Sequence, residues 1–189
     1  MDTFQRADSP LWGTASDGQK WGADANTSPN FAIQTKSGRI TQGNGVYNAI
    51  LGPRVADADV VFSGSLSKFQ PNDNIGAVLR WTDTNNLYKA YIDGSNLVLL
   101  KIVAGNMTTL AAVPFLATAN TSYSLHFRAV GSQLMARVWQ SNQVEPATWM
   151  VQTSDTALTS GFGGIRVVIR DGNNATITAF TETAVPKQN

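Results

Sequence analysis

The chain has 189 residues, a formal net charge of +1 and no cysteine, and only 14% of its residues are charged. This length suits one all-β domain that buries its core without disulfides, and the lack of cysteine excludes a cysteine-based zinc site. The near-neutral charge argues against nucleic acid as a partner, and no apolar run approaches the length of a membrane-spanning helix, so we expect no membrane insertion.

From about residue 30 onward the apolar residues recur with a period of two, which predicts short β-strands. An early strand begins at Phe31, and the runs at 58–67, 74–82 and 87–92 predict further strands with polar turns between them. Short strands separated by regular turns predict an all-β fold, either a sandwich or a barrel. We expect one domain over 1–183, with 184–189 as a tail or the start of a linker.

Glycine and asparagine divide the second half of the chain into short segments. Both residues supply positive φ at low steric cost, and this chemistry predicts hairpin turns at 93–96, 104–106 and 130–132. Residues 154–161 start with an N-cap signal and end in glycine, which predicts one short helical turn. The Asp-Gly-Asn-Asn sequence at 171–174 is interpreted as the turn between the last two strands.

Several phrases occur in an order that resembles the laminin G-like domains of the concanavalin A-like lectin/glucanase superfamily. They are Asp2-x-Phe4-x-Arg6, Leu11-Trp12-Gly13, Asn74-x-Gly76-x-Val78-x-Arg80, Tyr123-x-Leu125-x-Phe127-x-Ala129, Val138-Trp139 and Glu145-Pro146-Ala147-x-Trp149. The resemblance implies a two-sheet antiparallel β-sandwich of the jelly-roll type. Such domains bind sugars, bind proteins, or act as glycoside hydrolases and lyases, so the fold alone does not decide the function.

The resemblance also implies a structural calcium ion near the joined chain ends, with Asp2 as a ligand. The stretch 176–180 lacks the acid that many relatives carry there. A turn site at Asp171 is an alternative, although an Asn-rich hairpin explains that residue equally well. No other cofactor is expected.

Cationic and aromatic residues alternate with apolar ones along the predicted strands. On a curved sheet the outward residues can converge, where rings stack on sugars and arginine donates hydrogen bonds to hydroxyls or carboxylates. The candidate glycan-binding residues are Arg80, Lys89, Tyr91, Lys101, His126, Arg128, Arg137, Trp139 and Arg166. We expect Arg80, Arg128, Arg137 and Trp139 to lie near one another. A solvated sheet face, with arginine stems covering apolar surface, explains the same pattern without a ligand.

The sequence offers little for catalysis. A glycosidase needs two carboxyl groups that flank the scissile bond, and the two glutamates, Glu145 and Glu182, have no acid at the spacing used by the hydrolases of this fold. A lyase could combine His126, the single histidine, with a tyrosine such as Tyr91. We assign no catalytic residue.

Three hypotheses follow. The first is a non-catalytic carbohydrate-binding or adhesive module, extracellular or at the cell surface, attached to neighbouring domains of a larger protein. The second is a polysaccharide-active enzyme, either a hydrolase or a lyase. The third is a protein-interaction or assembly module, which predicts an apolar or edge-strand patch.

Overall fold

The computed structural model describes residues 1–186, and strands make up nearly all of its regular structure. The strands are β1 (Ser9–Pro10), β2 (Gly22–Ala23), β3 (Phe31–Gln34), β4 (Ser37–Ile50), β5 (Ala58–Leu66), β6 (Asn74–Asp83), β7 (Asn86–Ile92), β8 (Asn96–Val103), β9 (Asn106–Pro114), β10 (Tyr123–Val130), β11 (Gln133–Gln140), β12 (Val151–Ser154) and β13 (Phe162–Ala184). A single 3₁₀ turn covers Asp24–Asn26. Over residues 1–186 we find no helix with the length and apolar character needed to cross a bilayer.

The strands form a two-layer sandwich because β4 and β13 are long enough to run through both layers. The first half of β13 pairs with β6 and the second half with β5, while β4 lies along its other side. One layer, the β10 sheet, has the order β12-β11-β10-β5-β13-β4, and the other, the β7 sheet, has the order β9-β8-β7-β6-β13-β4. Every pairing between these strands is antiparallel. The predicted two-sheet jelly-roll fold is confirmed.

The interior is one apolar cluster built from alternate residues of both sheets. Phe62 of β5 and Phe127 of β10 face Ala77 of β6 and Ala90 of β7, and all four are buried. Alternation with a period of two sends the residues between them to the outer faces. The sandwich therefore has two outer faces, and each carries side chains that the core does not use.

An aromatic group closes one end of the sandwich. Trp12 contacts Phe4, Trp21 and Phe31 with ring centroids 4.8–5.1 Å apart, and Trp21 also contacts Phe180 at 5.1 Å. Buried aromatic pairs of this kind contribute about 0.5–1.5 kcal/mol beyond their area. Trp12 and Trp21 are therefore part of the buried core.

The predicted turn at 171–174 is wrong, because β13 continues through it. Asp171 and Gly172 have φ of 50° and 68°, and the pairing with β4 shifts register there. This is a bulge, which bends a strand without ending it. The buried Asn173 side chain holds the bend by donating to Lys68 O at 2.9 Å and accepting from Ser67 Oγ at 2.6 Å.

The three hairpin turns are confirmed, with positive φ at Gly94, Gly105 and Gly131. The predicted helical turn at 154–161 is absent, and this stretch is irregular after β12. β13 ends at Ala184, one residue beyond the expected domain limit. Of the expected tail, residues 187–189 lie outside the described residues.

Candidate functional site

The outer face of the β7 sheet carries a groove of about 860 Å³, a volume typical of small-ligand sites. Strands β13, β6, β7 and β8 form its floor, and the loop at 69–72 and strand β9 form its walls. The polar and aromatic side chains that line it include Asn74, Lys89, Tyr91, Asp93, Asn96, Arg166 and Arg170. Three of the predicted site residues, Lys89, Tyr91 and Arg166, therefore meet here.

Strand register explains the shape of the floor. Arg166 of β13 lies opposite Gly76 of β6, which lies opposite Tyr91 of β7. Paired residues project to the same face, and Gly76 has no side chain, so Arg166 and Tyr91 flank a floor position that carries no side chain. A Cβ on Gly76 would come within 2.2 Å of the Ala90 carbonyl oxygen, so only glycine fits there.

The Lys89 side chain also forms part of the groove floor. It lies opposite Val78, and its ammonium donates to the side-chain oxygen of Asn74 further along β6, so its side chain crosses over Gly76. Its Nζ lies 4.9 Å from the centre of the Tyr91 ring. Burial lowers the pKa of Lys89 well below its usual value, and the nearby positive charge of Arg166 adds to this effect. An ammonium has three N–H donors, and the protein accepts one of them.

The two arginines of the groove also keep donors free. Arg166 uses Nη1 to donate to Asn48 Oδ1 at 3.1 Å and to Thr84 O at 3.2 Å. Arg170, four residues along the same face of β13, donates to the Ile169 carbonyl oxygen. Within residues 1–186, no acceptor meets the Nε and Nη2 groups of either arginine.

Of residues 1–186, Asp93 is the one that lines the groove with a carboxyl group, and its Oδ1 takes part in a turn. Asp93 accepts hydrogen bonds from the backbone amides of Ser95 and Asn96 at 2.9 and 2.8 Å and so shapes the β7–β8 turn. Burial raises the pKa of the Tyr91 hydroxyl, and the charge of Asp93 raises it further. The groove therefore combines an aromatic ring with hydrogen-bond donors, and it has no pair of carboxyl groups.

A second set of predicted residues lies on the opposite outer face, on the β10 sheet. This ion cluster comprises Asp59, His126, Arg128, Arg137, Glu145 and Trp149. Arg128 donates to both oxygens of Asp59 at 2.6 Å, and Arg137 Nε donates to Glu145 Oε1 at 2.7 Å. The Trp149 ring covers the cluster, with Arg137 Cζ 4.3 Å from a ring centre.

His126 lies between the two carboxylates of the ion cluster. Its Nδ1 is 2.6 Å from Glu145 Oε1, and its Nε2 is 3.1 Å from Asp59 Oδ1 without the angle of a hydrogen bond. Burial raises the pKa of Asp59, but the hydrogen bonds from Arg128 and the close approach of His126 outweigh it and bring the pKa to about 2. A glycosidase needs one protonated acid and space for the sugar between its carboxyl groups. Here Asp59 is ionised and the imidazole fills that space.

One expectation about these residues is wrong. His126 and Tyr91 lie on opposite outer faces of the sandwich, so they cannot act as the acid and base of one lyase site. Trp139 shares the outer face of β11 with Arg137, but the indole that contacts the arginines is Trp149. A sequence signal existed for Trp149, because its neighbour Met150 packs against the core and alternation then turns Trp149 outward.

The sequence led us to expect Arg80 beside Arg128 and Arg137 on an outer face, and this expectation is wrong. It has a φ of 51°, and the pairing of β6 with β7 shifts register beyond Leu79, so a bulge reverses the alternation. Its side chain is 3% exposed and donates to three backbone carbonyl oxygens, those of Ala56, Leu158 and Gly131, at 2.7–2.8 Å. Arg80 therefore connects, through hydrogen bonds, the three loop segments that carry these carbonyl groups.

Lys101 also lies away from both outer faces. It sits opposite Tyr88 and therefore on the inner side of β8. Its ammonium pairs with Asp155, which also accepts a hydrogen bond from the Tyr88 hydroxyl at 2.6 Å. Lys101 thus joins the β7 sheet to the segment after β12.

The surroundings of Asp2 do not fit a calcium ligand. Its carboxylate is fully buried and accepts hydrogen bonds from Arg6 Nη1 at 2.7 Å, Trp21 Nε1 at 2.7 Å, Ser16 Oγ at 2.9 Å and the Phe4 amide at 2.8 Å. These groups are donors, whereas calcium needs oxygen lone pairs. Hydrogen bonds from Arg6, Trp21, Phe4 and Ser16 outweigh burial and lower the pKa of Asp2.

Asp171 does not gather a calcium site either. Its side chain is exposed on the bulge of β13. Over residues 1–186, no three histidine or acidic side chains are grouped closely enough to hold a metal ion.

Comparison with known proteins identifies the fold. No protein-family model matches the chain, and a search of the curated proteins finds no match. Among solved structures, the carbohydrate-binding module CBM66 of Bacillus subtilis is similar, with a TM-score of 0.71, 15% identity, and coverage of 87% of this chain and 95% of that one. The Lotus tetragonolobus seed lectin has a TM-score of 0.61 and 13% identity over 96% of this chain and 100% of that one.

A xylan β-1,4-xylosidase of Bacillus halodurans is also similar, with a TM-score of 0.71 and 13% identity. That likeness covers 96% of this chain but 38% of the enzyme. At such identities these likenesses show a shared fold, and function must be argued from the site.

Proposed function

We propose that this chain, a jelly roll of the concanavalin A-like lectin/glucanase type, is a non-catalytic carbohydrate-binding module whose site is the groove of the β7 sheet. The observation that carries the proposal is the floor of that groove, where the half-buried Tyr91 ring lies among N–H groups that have no acceptor within residues 1–186. We also propose that the module belongs to a larger secreted or surface protein. The carbohydrate-binding and lectin structures of the same fold support the first statement.

The chemistry of the groove suits a sugar better than an apolar ligand. A pyranose presents apolar C–H faces that stack on an aromatic ring, and hydroxyls that accept hydrogen bonds from arginine and amide groups. Tyr91 supplies the ring, and Asn74, Asn96, Arg166 and Arg170 supply polar groups around it. Among residues 1–186, Asp93 alone lines the groove with a carboxyl group. The groove therefore lacks the pair of carboxyl groups that a glycosidase needs.

A matched pair of variants tests the location of the site. We expect Tyr91→Ala to weaken oligosaccharide binding about tenfold, because it removes the stacking ring. Trp139→Ala removes an aromatic ring from the opposite outer face and should leave binding unchanged. Isothermal titration calorimetry with a panel of neutral and acidic oligosaccharides measures both. Loss of binding in Trp139→Ala but not in Tyr91→Ala would refute the assignment.

The non-catalytic part of the proposal has its own test. The protein is incubated with the same oligosaccharides, and the products are assayed for new reducing ends and unsaturated sugars. We expect none, because the groove lacks an acid–base pair. Product formation that Tyr91→Ala abolishes would contradict this and favour the enzyme hypothesis.

A further inference from the structure

Apart from Arg39, which donates to Thr176 Oγ1 at 2.6 Å, the buried and half-buried cations of residues 1–186 fall into two groups. One group has a carboxylate partner within 4 Å: Arg6 with Asp2, Arg80 with Asp57, Lys101 with Asp155, Arg128 with Asp59, and Arg137 with Glu145. The groove cations Lys89, Arg166 and Arg170 have no such partner among residues 1–186. The groove therefore holds three cations and the carboxylate of Asp93, and none of the three cations has a direct ion pair within residues 1–186.

Two of these charges are also largely removed from water. Lys89 is 2% exposed and Arg166 is 8% exposed. Their mutual repulsion and their burial both disfavour the charged forms, and each lowers the pKa of Lys89. Burying charges without a counter-ion is costly unless another group supplies the opposite charge.

The nearest acids do not supply it. Asp24 raises the pKa of Arg166 from a distance, but its Oδ2 accepts hydrogen bonds from the backbone and side-chain nitrogens of Asn48 at 2.8 and 3.2 Å. Asp93 is held by turn amides. Neither carboxylate therefore makes a direct ion pair with a groove cation, and an anionic ligand would supply one.

We infer that the groove binds an anionic glycan, with a carboxylate or sulfate group placed against Lys89 and Arg166. This inference rests on the proposed function and names its ligand class. Arginine presents a planar fork that matches either anion, and the free Nε and Nη2 of Arg166 form such a fork. Tyr91 stacks on the neighbouring sugar ring.

The length of the cationic strip indicates a chain of sugars. Arg166 and Arg170 project from the same face of β13, and four residues of strand span about 13 Å. Val168 lies between them on the groove floor. We therefore infer that a ligand contacting both arginines is longer than one sugar residue.

The experiment compares three probes of equal length by calorimetry at low and high salt. They are an oligogalacturonate, which carries carboxylates, a sulfated glucan oligosaccharide, and a neutral xylo-oligosaccharide. We expect at least one anionic probe to bind about tenfold more tightly than the neutral one, and to lose that advantage as salt screens the charges. The preferred anionic probe identifies the charged group.

Variants of the protein separate the groove from its overall charge. Lys89→Met and Arg170→Gln should each weaken binding of the anionic probe about tenfold and weaken binding of the neutral probe less, because a neutral sugar loses a hydrogen bond but no charge pair. Arg54→Gln removes the same charge at an exposed site, where Nε contacts Ser160 Oγ at 3.4 Å, and should have no effect. A thermal unfolding measurement checks whether Lys89→Met is folded. Arg170→Gln tests the inference independently, because the Arg170 side chain is not in the core.

Each other outcome has a clear meaning. Equal binding of neutral and anionic probes, abolished by Tyr91→Ala, would overturn the inference and keep the proposed function. No binding of any probe would count against both. Equal loss in Arg54→Gln and Arg170→Gln would show general electrostatic attraction and overturn the inference.

Discussion

The sharpest stability prediction concerns Glu182, which follows Phe180 on the core side of β13. Its carboxyl group lies over two glycines: a Cβ on Gly52 would come within 1.7 Å of Oε2, and one on Gly163 within 2.6 Å of Oε1. Both oxygens are buried and accept no hydrogen bond. Burial raises the pKa of Glu182 to about 7, although the nearby Gly163 amide and N-terminal ammonium oppose this rise.

The raised pKa makes the stability of the fold depend on pH. Between about pH 4.5 and pH 7 the folded state keeps a proton on Glu182 that the unfolded state releases, so the free energy of unfolding falls as pH rises through this window. A shift of about 2.5 pKa units corresponds to at most about 3 kcal/mol. Because the residue is only partly buried, we expect about 1–2 kcal/mol.

Glu182→Gln removes the titrating group and keeps the shape of the side chain. Relative to the parent protein, we expect the variant to gain about 1–2 kcal/mol in unfolding free energy between pH 4 and pH 8. Urea denaturation followed by tryptophan fluorescence across this range measures the effect. Asp171→Asn makes the same acid-to-amide change at an exposed site and should keep the parent profile. A Glu182→Gln variant with the same pH slope as the parent would refute the reasoning.

Two further predictions concern Arg80 and Asp2. The sequence suggested that they bind a glycan or calcium, whereas in the structure their side chains make internal hydrogen bonds. Arg80→Met should lower the unfolding free energy by about 3–5 kcal/mol, because it leaves buried carbonyl oxygens without donors. Urea denaturation measures this loss. A loss below about 1 kcal/mol would contradict the role assigned to Arg80. Because the carboxylate of Asp2 is saturated by donors, adding calcium or a chelator should leave the melting temperature unchanged. A rise of several degrees with calcium would show a cation site.

The two outer faces use the same residue types for different purposes. On the β10 sheet, Arg128 and Arg137 are neutralised by Asp59 and Glu145, and Trp149 covers them. On the β7 sheet the cations have an aromatic neighbour but no carboxylate partner. The difference in counter-ions, more than the number of arginines, distinguishes the candidate site from a solvated sheet face.

Sequence alternation identified Lys89, Tyr91 and Arg166 as outward residues, and the structure brings these three together. It also grouped Arg80 with Arg128 and Arg137, which was wrong. Alternation tells which side of its own strand a residue takes, but a bulge reverses that side, and the positive φ of Arg80 has no local sequence signature. Nor does alternation reveal which of two sheets a strand joins.

The amino-acid sequence by itself determined the strands, the glycine-containing hairpins and, through its resemblance, the jelly-roll fold, because backbone periodicity and turn chemistry are local properties. Only the tertiary structure decided that β13 continues through residues 171–174 and joins both sheets. It alone separated the paired cations of the β10 sheet from the unpaired ones of the groove, because ion pairs form between strands far apart in the chain, and local sequence does not encode those distances.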